Sequence, residues 1–321
     1  MVPSIPPPFH SFERRSDIQR AHLDLGLRPC RLKAFGAVLS GTLLAAMPEL
    51  PEVEFAARSL RRWAVGRRIE AAEIDPRGRR IVRPAAPADF ARAVTGARVV
   101  GVRRKGKHLL VTLDREGAAL GLLSHLGMTG KWVREEAGGS PPRHSRARLR
   151  LSDGRVLHYE DLRLFGRLRL VPGARFEEVK ELLALGPDPI EQGIDPGRLG
   201  AALERTRLPV KVKLLDQRLL PGVGNIHAGE ACFRARIDPR RAGRTLSAAE
   251  VRALARSVLA SFNMTLAAER GPRIAYVEEG GRNPFKVYGR EGERCPRCRR
   301  GRIRRLVQSG RSTFYCPRCQ R

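Results

Sequence analysis

Four cysteines near the end of the chain have the spacing of a metal site. Cys295 and Cys298 form one C-x2-C pair, Cys316 and Cys319 a second, with 17 residues between them. Each pair brings two sulfurs to tetrahedral spacing, and the intervening "RIRRLVQSGRSTFY" can form a hairpin. The pattern predicts one structural Zn2+ held by four thiolates. An ion with no open coordination position holds the fold and does no catalysis. The hairpin would turn Arg302, Arg304, Arg305 and Arg311 toward a polyanion. Cys30 and Cys232 lack such company and are expected to be unligated.

A second candidate is "MPELPEVE", residues 47–54. A proline inside a chain is a tertiary amide with no lone pair to offer. If the chain began at Met47 and lost it, Pro48 would carry a secondary amine, a nucleophile toward an aldehyde-like carbon. An α-amine titrates near pH ~8, so a useful fraction is neutral at neutral pH. Glu52 and Glu54 would fall in the first turn of a helix, whose positive end favours them. Glu54 is read as a helix N-terminal charge only. A third candidate is "LLPGVGN", where Pro221, Gly222 and Gly224 separate two helical segments and Asn225 opens the second. The N–H groups of a helix start bind phosphate, so this loop is expected to be a phosphate clamp. A plain interhelical turn is the alternative.

Composition narrows the partner. The 321 residues carry 62 Lys+Arg against 33 Asp+Glu, a formal net charge of +29. Nucleic acid is the simplest account, codon bias toward arginine the bland one. The arginines are spread along the chain, which argues against a membrane-surface helix. Six clustered cysteines do not make a secreted disulfide scaffold and fit a reducing compartment. No apolar run approaches the ~18 residues of a membrane span.

The elements that must position these residues follow from periodicity. Residues 1–47 open Pro-rich and read as an extension, disordered or preceding the true start. The stretch "AFGAVLSGTLLAA" resembles a signal-peptide core, but the basic segment before it is too long for one. "PEVEFAARSLRRWAVGRRI" has the helical period. "RVVGVRRKGKHLLVTL", "AALGLLSHLGMTGKWV", "RARLRLSDGRVLHYED" and "GRLRLV" read as strands, with "SDGR" a hairpin turn. Residues 48–172 are therefore a strand-rich domain and 173–195, around "LGPDPIEQGIDPG", a hinge. Residues 196–291 are a helical domain, with a capping box at "SAAE" from Ser247, and 292–321 the zinc module.

Taken together, "PELPEVE", "RRKGKHLL", "SHLGMTG", "LGPDPI", "LLDQRLLPGVGNIHAGEACFRARIDP" and "TFYCPRCQR" resemble the formamidopyrimidine-DNA glycosylase family, in that family's order. The resemblance implies an α+β multidomain fold: an N-terminal β-sandwich with flanking helices, a helix–two-turns–helix domain and a C-terminal zinc-finger hairpin. It implies a bacterial base-excision-repair DNA glycosylase with AP lyase activity. Such an enzyme is a cytoplasmic, nucleoid-associated monomer acting on double-stranded DNA with damaged bases or abasic sites. By resemblance Pro48 is the nucleophile that forms a Schiff base, Glu49 the acid/base, Glu52 a supporting carboxylate and Lys107 a lysine at the lesion phosphates. Met128, Arg163 and Phe165 match the trio that fills the gap left by the flipped base. Lys211, Asn225 and Arg311 match phosphate-binding positions. A non-catalytic DNA-binding protein derived from such an enzyme is the alternative reading.

Three features depart from the family. One is the extension, since an acylated Pro48 cannot form a Schiff base. The next is "DLRLFG" in place of "DPRRFG", with Leu162 and Leu164 replacing a rigid turn and a cation. The last is the segment 271–290, which leaves formamidopyrimidines, 8-oxoguanine, oxidised pyrimidines and abasic sites all open as substrates.

Overall fold

The computed structural model describes residues 48–135, 138–268 and 283–321. The expected extension and most of the divergent 271–290 segment lie outside these. The first helix, α1 (Leu50–Ala64), starts where Pro51 is tolerated and where the Glu52 carboxylate accepts the Glu49 N–H at 2.9 Å. Its apolar residues Val53, Ala56, Ala57, Leu60 and Trp63 recur three or four apart and are all buried.

Two antiparallel four-stranded sheets follow. One has the order β1-β6-β7-β5, from β1 (Ile69–Ile74), β5 (Lys131–Arg134), β6 (Ser145–Leu151) and β7 (Val156–Glu160). The other has the order β2-β3-β4-β8, from β2 (Arg98–Lys105), β3 (His108–Arg115), β4 (Ala118–His125) and β8 (Arg167–Pro172). Their inner faces share one core with α1 and with α2 (Pro87–Val94), in which Leu109, Val111 and Leu113 of one sheet join Trp132, Leu149 and Tyr159 of the other. This is the expected sandwich with flanking helices. Glu54 departs from its expectation. It is a buried carboxylate paired with Arg104 of β2 at 2.9 Å, not only a helix N-terminal charge.

The connection 173–195 contains two short helices, α3 (Lys180–Leu183) and α4 (Pro189–Gln192). Beyond it α5 (Pro196–Glu204), α6 (Val210–Lys213), α7 (Asn225–Ala235) and α8 (Ala248–Ala268) enclose a second core that includes Leu203, Val210, Leu220, Leu254 and Phe262. The expected capping box starts α8: Ser247 N–H donates to Glu250 at 2.8 Å, and Glu250 N–H to the Ser247 hydroxyl at 3.3 Å. Leu50 of α1 belongs to this helical core, fully buried in it. The hairpin of β9 (Arg304–Gln308) and β10 (Arg311–Tyr315) turns through Ser309 and Gly310, both at positive φ, as a two-residue hairpin of primed type requires. Phe314 of this hairpin shares a core with Ile303, Tyr288 and Ile226 and Phe233 of α7.

Candidate active site

Pro48 and Glu49 lie at the head of α1, buried against the loop that precedes α7. The Glu49 carboxylate accepts hydrogen bonds from the N–H groups of Gly224 (2.9 Å), Ile226 (2.8 Å) and His227 (3.1 Å). Leu50 N–H donates to the Gly222 carbonyl at 3.0 Å. This contact leaves no room for side chains: a Cβ on Gly224 would stand 2.3 Å from Glu49 Cδ, and one on Gly222 would stand 2.5 Å from Leu50 Cβ. The phosphate clamp expected of "PGVGN" is therefore corrected. The N–H groups at this helix start do bind an anion, but the anion is the chain's own Glu49.

Lys107 occupies the two-residue turn between β2 and β3 beside this carboxylate. Burial pushes the Glu49 pKa up; the Lys107 ammonium and the three backbone donors oppose it. Burial likewise pulls the Lys107 pKa down, against the pull of Glu49 and Glu52. Glu49 is thus drawn toward its acid form and Lys107 toward its neutral amine.

The Lys107 turn is locked from behind. The Arg104 guanidinium is buried between Glu54 and Asp188, donating to Asp188 Oδ1 at 2.7 Å and to Glu54 Oε2 at 2.9 Å. Asp188 also accepts Gly106 N–H at 3.0 Å and caps α4 through Ile190 N–H at 3.1 Å. The Arg104 guanidinium holds the Asp188 carboxyl below its usual range although burial opposes it.

Lys211 is fully buried, and its ammonium donates to Asn225 Oδ1 (2.5 Å), Thr313 Oγ1 (2.7 Å) and the Ser312 carbonyl (3.4 Å). Asn225 Nδ2 reaches the same carbonyl at 2.9 Å. With only neutral acceptors and little water, the Lys211 pKa falls to about 8, burial being the first cause. Arg311 stands exposed at the hairpin tip nearby.

Met128 and the Arg163–Phe165 stretch sit on two turns bound back to back. The buried Asp161 carboxylate accepts from Thr129 Oγ1 (2.6 Å), Gly166 N–H (2.8 Å) and Arg163 N–H (3.2 Å). A Cβ on Gly127 would stand 2.5 Å from Phe165 C, and one on Gly166 would stand 1.9 Å from the Tyr159 hydroxyl. This fixed base displays Phe165, 52% exposed, with the Arg163 guanidinium 5.0 Å from its ring centre.

The four cysteine sulfurs of the terminal module all lie within 4.8 Å of one another, with Cys295–Cys319 at 3.7 Å and Cys298–Cys316 at 3.9 Å. Tetrahedral zinc–thiolate geometry requires sulfurs about 3.8 Å apart. A Cβ on Gly301 would press to 2.9 Å from Cys316 Sγ, so the knuckle needs glycine there. The residues fit zinc. Cys232, as expected, is buried elsewhere, its thiol pushed up to about 12 by burial. Cys30 lies outside the described residues.

Known proteins share this arrangement. The family description "Formamidopyrimidine-DNA glycosylase N-terminal domain" matches residues 47–168, the family's H2TH domain residues 185–273, and the zinc finger found in FPG and IleRS residues 292–321. The formamidopyrimidine-DNA glycosylase of Novosphingobium aromaticivorans is 40% identical over 281 residues, spanning 86% of this chain and 100% of its own length. That of Paracoccus denitrificans is 42% identical over 289 residues, 85% of this chain and 100% of its own. The chain belongs to the formamidopyrimidine-DNA glycosylase family. The Lactococcus lactis family member, solved with DNA containing an abasic site, has a TM-score of 0.74 at 27% identity, covering 85% of this chain and 99% of that one. The Thermus thermophilus member has a TM-score of 0.70 at 36% identity, covering 85% and 98%.

Several residues that shape this family site were not singled out in the sequence. Asp188 was visible only as the acid of "LGPDPI", a helix-capping position before Pro189. Arg104 was one arginine among many. His125 stands 4.9 Å from His108 and accepts Gly127 N–H on Nδ1 at 3.0 Å, which leaves its proton on Nε2. Burial and then His108 pull its pKa down to about 3, so the ring is neutral.

Proposed function

We propose that this chain is a base-excision-repair DNA glycosylase for oxidised or ring-opened bases, formamidopyrimidines first, with AP lyase activity carried by Pro48. The supporting observation is the buried Glu49 carboxylate, next in the chain to Pro48 and within electrostatic reach of Lys107. In the active form Pro48 is the N-terminus and its nitrogen is a free secondary amine. That nitrogen attacks C1′ of the damaged nucleotide. The C1′–base bond breaks, and the base leaves with a proton. Glu49, drawn toward its acid form, protonates the sugar ring oxygen, which opens the ring and gives an iminium between Pro48 and C1′. Loss of a C2′ proton to the Glu49 carboxylate then expels the 3′ phosphate, and a second elimination expels the 5′ phosphate. Glu52 fixes the Glu49 backbone, and Lys107 contacts the lesion phosphates.

Met128, Arg163 and Phe165 fill the gap of the extruded base and offset part of the few kcal/mol that flipping costs. Asn225 and Arg311 contact backbone phosphates, and Lys211 serves them from inside by holding both Asn225 and the hairpin. A structural Zn2+ on the four cysteines keeps that hairpin in place. The proposed domain limits are 48–172, a hinge at 173–195, 196–291 and 292–321. Among the described residues no helix is long and apolar enough to cross a membrane. A cytoplasmic, nucleoid-associated site of action follows from the substrate. The non-catalytic alternative gains nothing from a buried Glu49 held beside Lys107.

The decisive experiment is borohydride trapping on abasic-site duplex, with protein beginning at Pro48 and protein beginning at Met1. A covalent adduct from the shorter form alone is expected. Adducts in equal yield from both, with mass spectrometry showing no trimming, would identify another amine as the nucleophile.

A further inference from the structure

The loop that carries Arg163 and Phe165 displays a residue to which no role has been given. Among the described residues six large apolar side chains are exposed, and this loop alone has two within four positions: Leu162 at 57% and Phe165 at 52%. Leu164 between them turns inward at φ +58 and packs on the sandwich core. Asp161 ties down the backbone on either side through Arg163 N–H and Gly166 N–H, so neither exposed side chain can retreat by shifting the loop. Single exposed leucines need no explanation. A pair held outward on a preorganised turn presents apolar surface to something that covers it.

We propose that Leu162 is a second insertion residue, which packs on the base stack beside the extruded nucleotide while Phe165 fills the gap itself. The proposal rests on the glycosylase reading above, which brings lesion DNA to this loop. Only a duplex with an opened stack offers a surface of the right chemistry, flat and apolar once unstacked. Intact duplex presents phosphates and groove edges, which Leu162 cannot engage. Arg163 is then the one residue of the loop tip with hydrogen-bond donors for the base opposite the lesion, since Leu164 is inside. Leu162 and Arg163 divide the work: apolar contact from the first, polar reading from the second.

The test compares Leu162→Ala, Leu162→Met and Phe165→Ala in the full chain, on abasic-site duplex and on the same duplex undamaged. Leu162→Ala is expected to weaken abasic-site binding about tenfold, the size of losing most of one leucine's burial. Undamaged-duplex affinity and melting temperature should stay near wild type, and Leu162→Met should restore most of the loss. A 2-aminopurine beside the abasic site should report less unstacking with Leu162→Ala than with wild type. Unchanged abasic-site affinity and 2-aminopurine signal in Leu162→Ala, with both reduced in Phe165→Ala, would overturn the proposal. Both variants behaving as wild type would overturn it together with the gap-filling reading of the loop. If the Pro48-initiated protein gives no borohydride adduct, the enzymatic reading fails by itself, and the affinities still decide the role of Leu162.

Discussion

Glu49 caps the helix that opens at Asn225: its carboxylate takes the N–H groups of Gly224, Ile226 and His227, and Gly224 has no Cβ because that carboxylate occupies the place. This contact ties a glycine 175 residues away to the proposed acid/base group. Gly224→Ala should displace Glu49 and lower the single-turnover rate of base excision at least about 10²-fold, the scale of losing a positioned acid/base group. Overpacking should cost about 1–3 kcal/mol of stability. Stopped-time assays and thermal melting check this; near-wild-type excision with a normal melting temperature would refute it.

The electrostatics of the same carboxylate predict a pH profile. In the proposed mechanism excision needs Pro48 unprotonated and Glu49 protonated, so the rate should fall on the acid side as the amine gains its proton. It should fall again on the basic side as Glu49 loses its own. Lys107 lowers the Glu49 pKa, so Lys107→Gln lets it rise further and moves the limb that Glu49 sets to higher pH. Single-turnover rates across a wide pH range read both limbs; a profile in which neither limb moves to higher pH contradicts the arrangement.

Arg104 is buried between two carboxylates, and removing it strands both. Arg104→Met should cost about 3–5 kcal/mol in urea unfolding. Replacing Arg104, Glu54 and Asp188 together by apolar residues should recover most of that stability, because the uncompensated charges go with the cation. The triple variant should nonetheless bind abasic-site DNA more weakly, since Gly106 and the Lys107 turn lose their anchor on Asp188. A triple variant no more stable than the single one would show that packing, not charge, is at stake.

Zinc removal should act on binding before it acts on the sandwich. A chelator or Cys295→Ser is expected to release one zinc per chain and free Thr313 and Ser312 from Lys211. Most of the DNA affinity should go with it, while the sandwich unfolds at nearly its original denaturant concentration. Undiminished affinity in metal-free protein would count against this.

Much of this fold was legible in the chain itself. The period of α1, the paired strands around "SDGR" and the box at Ser247 are local signals, and each element formed as read. The cysteine spacing located the metal module without any tertiary knowledge. In contrast, β1 was not seen: "IEAAEI" pairs only along one side, with β6, and needs no strong alternation. The glycine loop was read for the right physics and the wrong anion. Its partner Glu49 lies 175 residues from Gly224, and nothing local to "PGVGN" tells a carboxylate from a phosphate. Arg104 and Asp188, 84 residues apart, were hidden for the same reason. Glu54 reads as a helix N-terminal charge only, because its cation, Arg104, arrives from a strand 50 residues away.

Leu50 follows the proposed nucleophile by two positions, yet its side chain is lodged among the helices that precede the zinc hairpin. That burial ties the start of α1 to the helical core as well as to the sandwich. The attacking nitrogen should then travel with the half that grips the duplex, keeping its aim at the sugar while the rest of the sandwich swings.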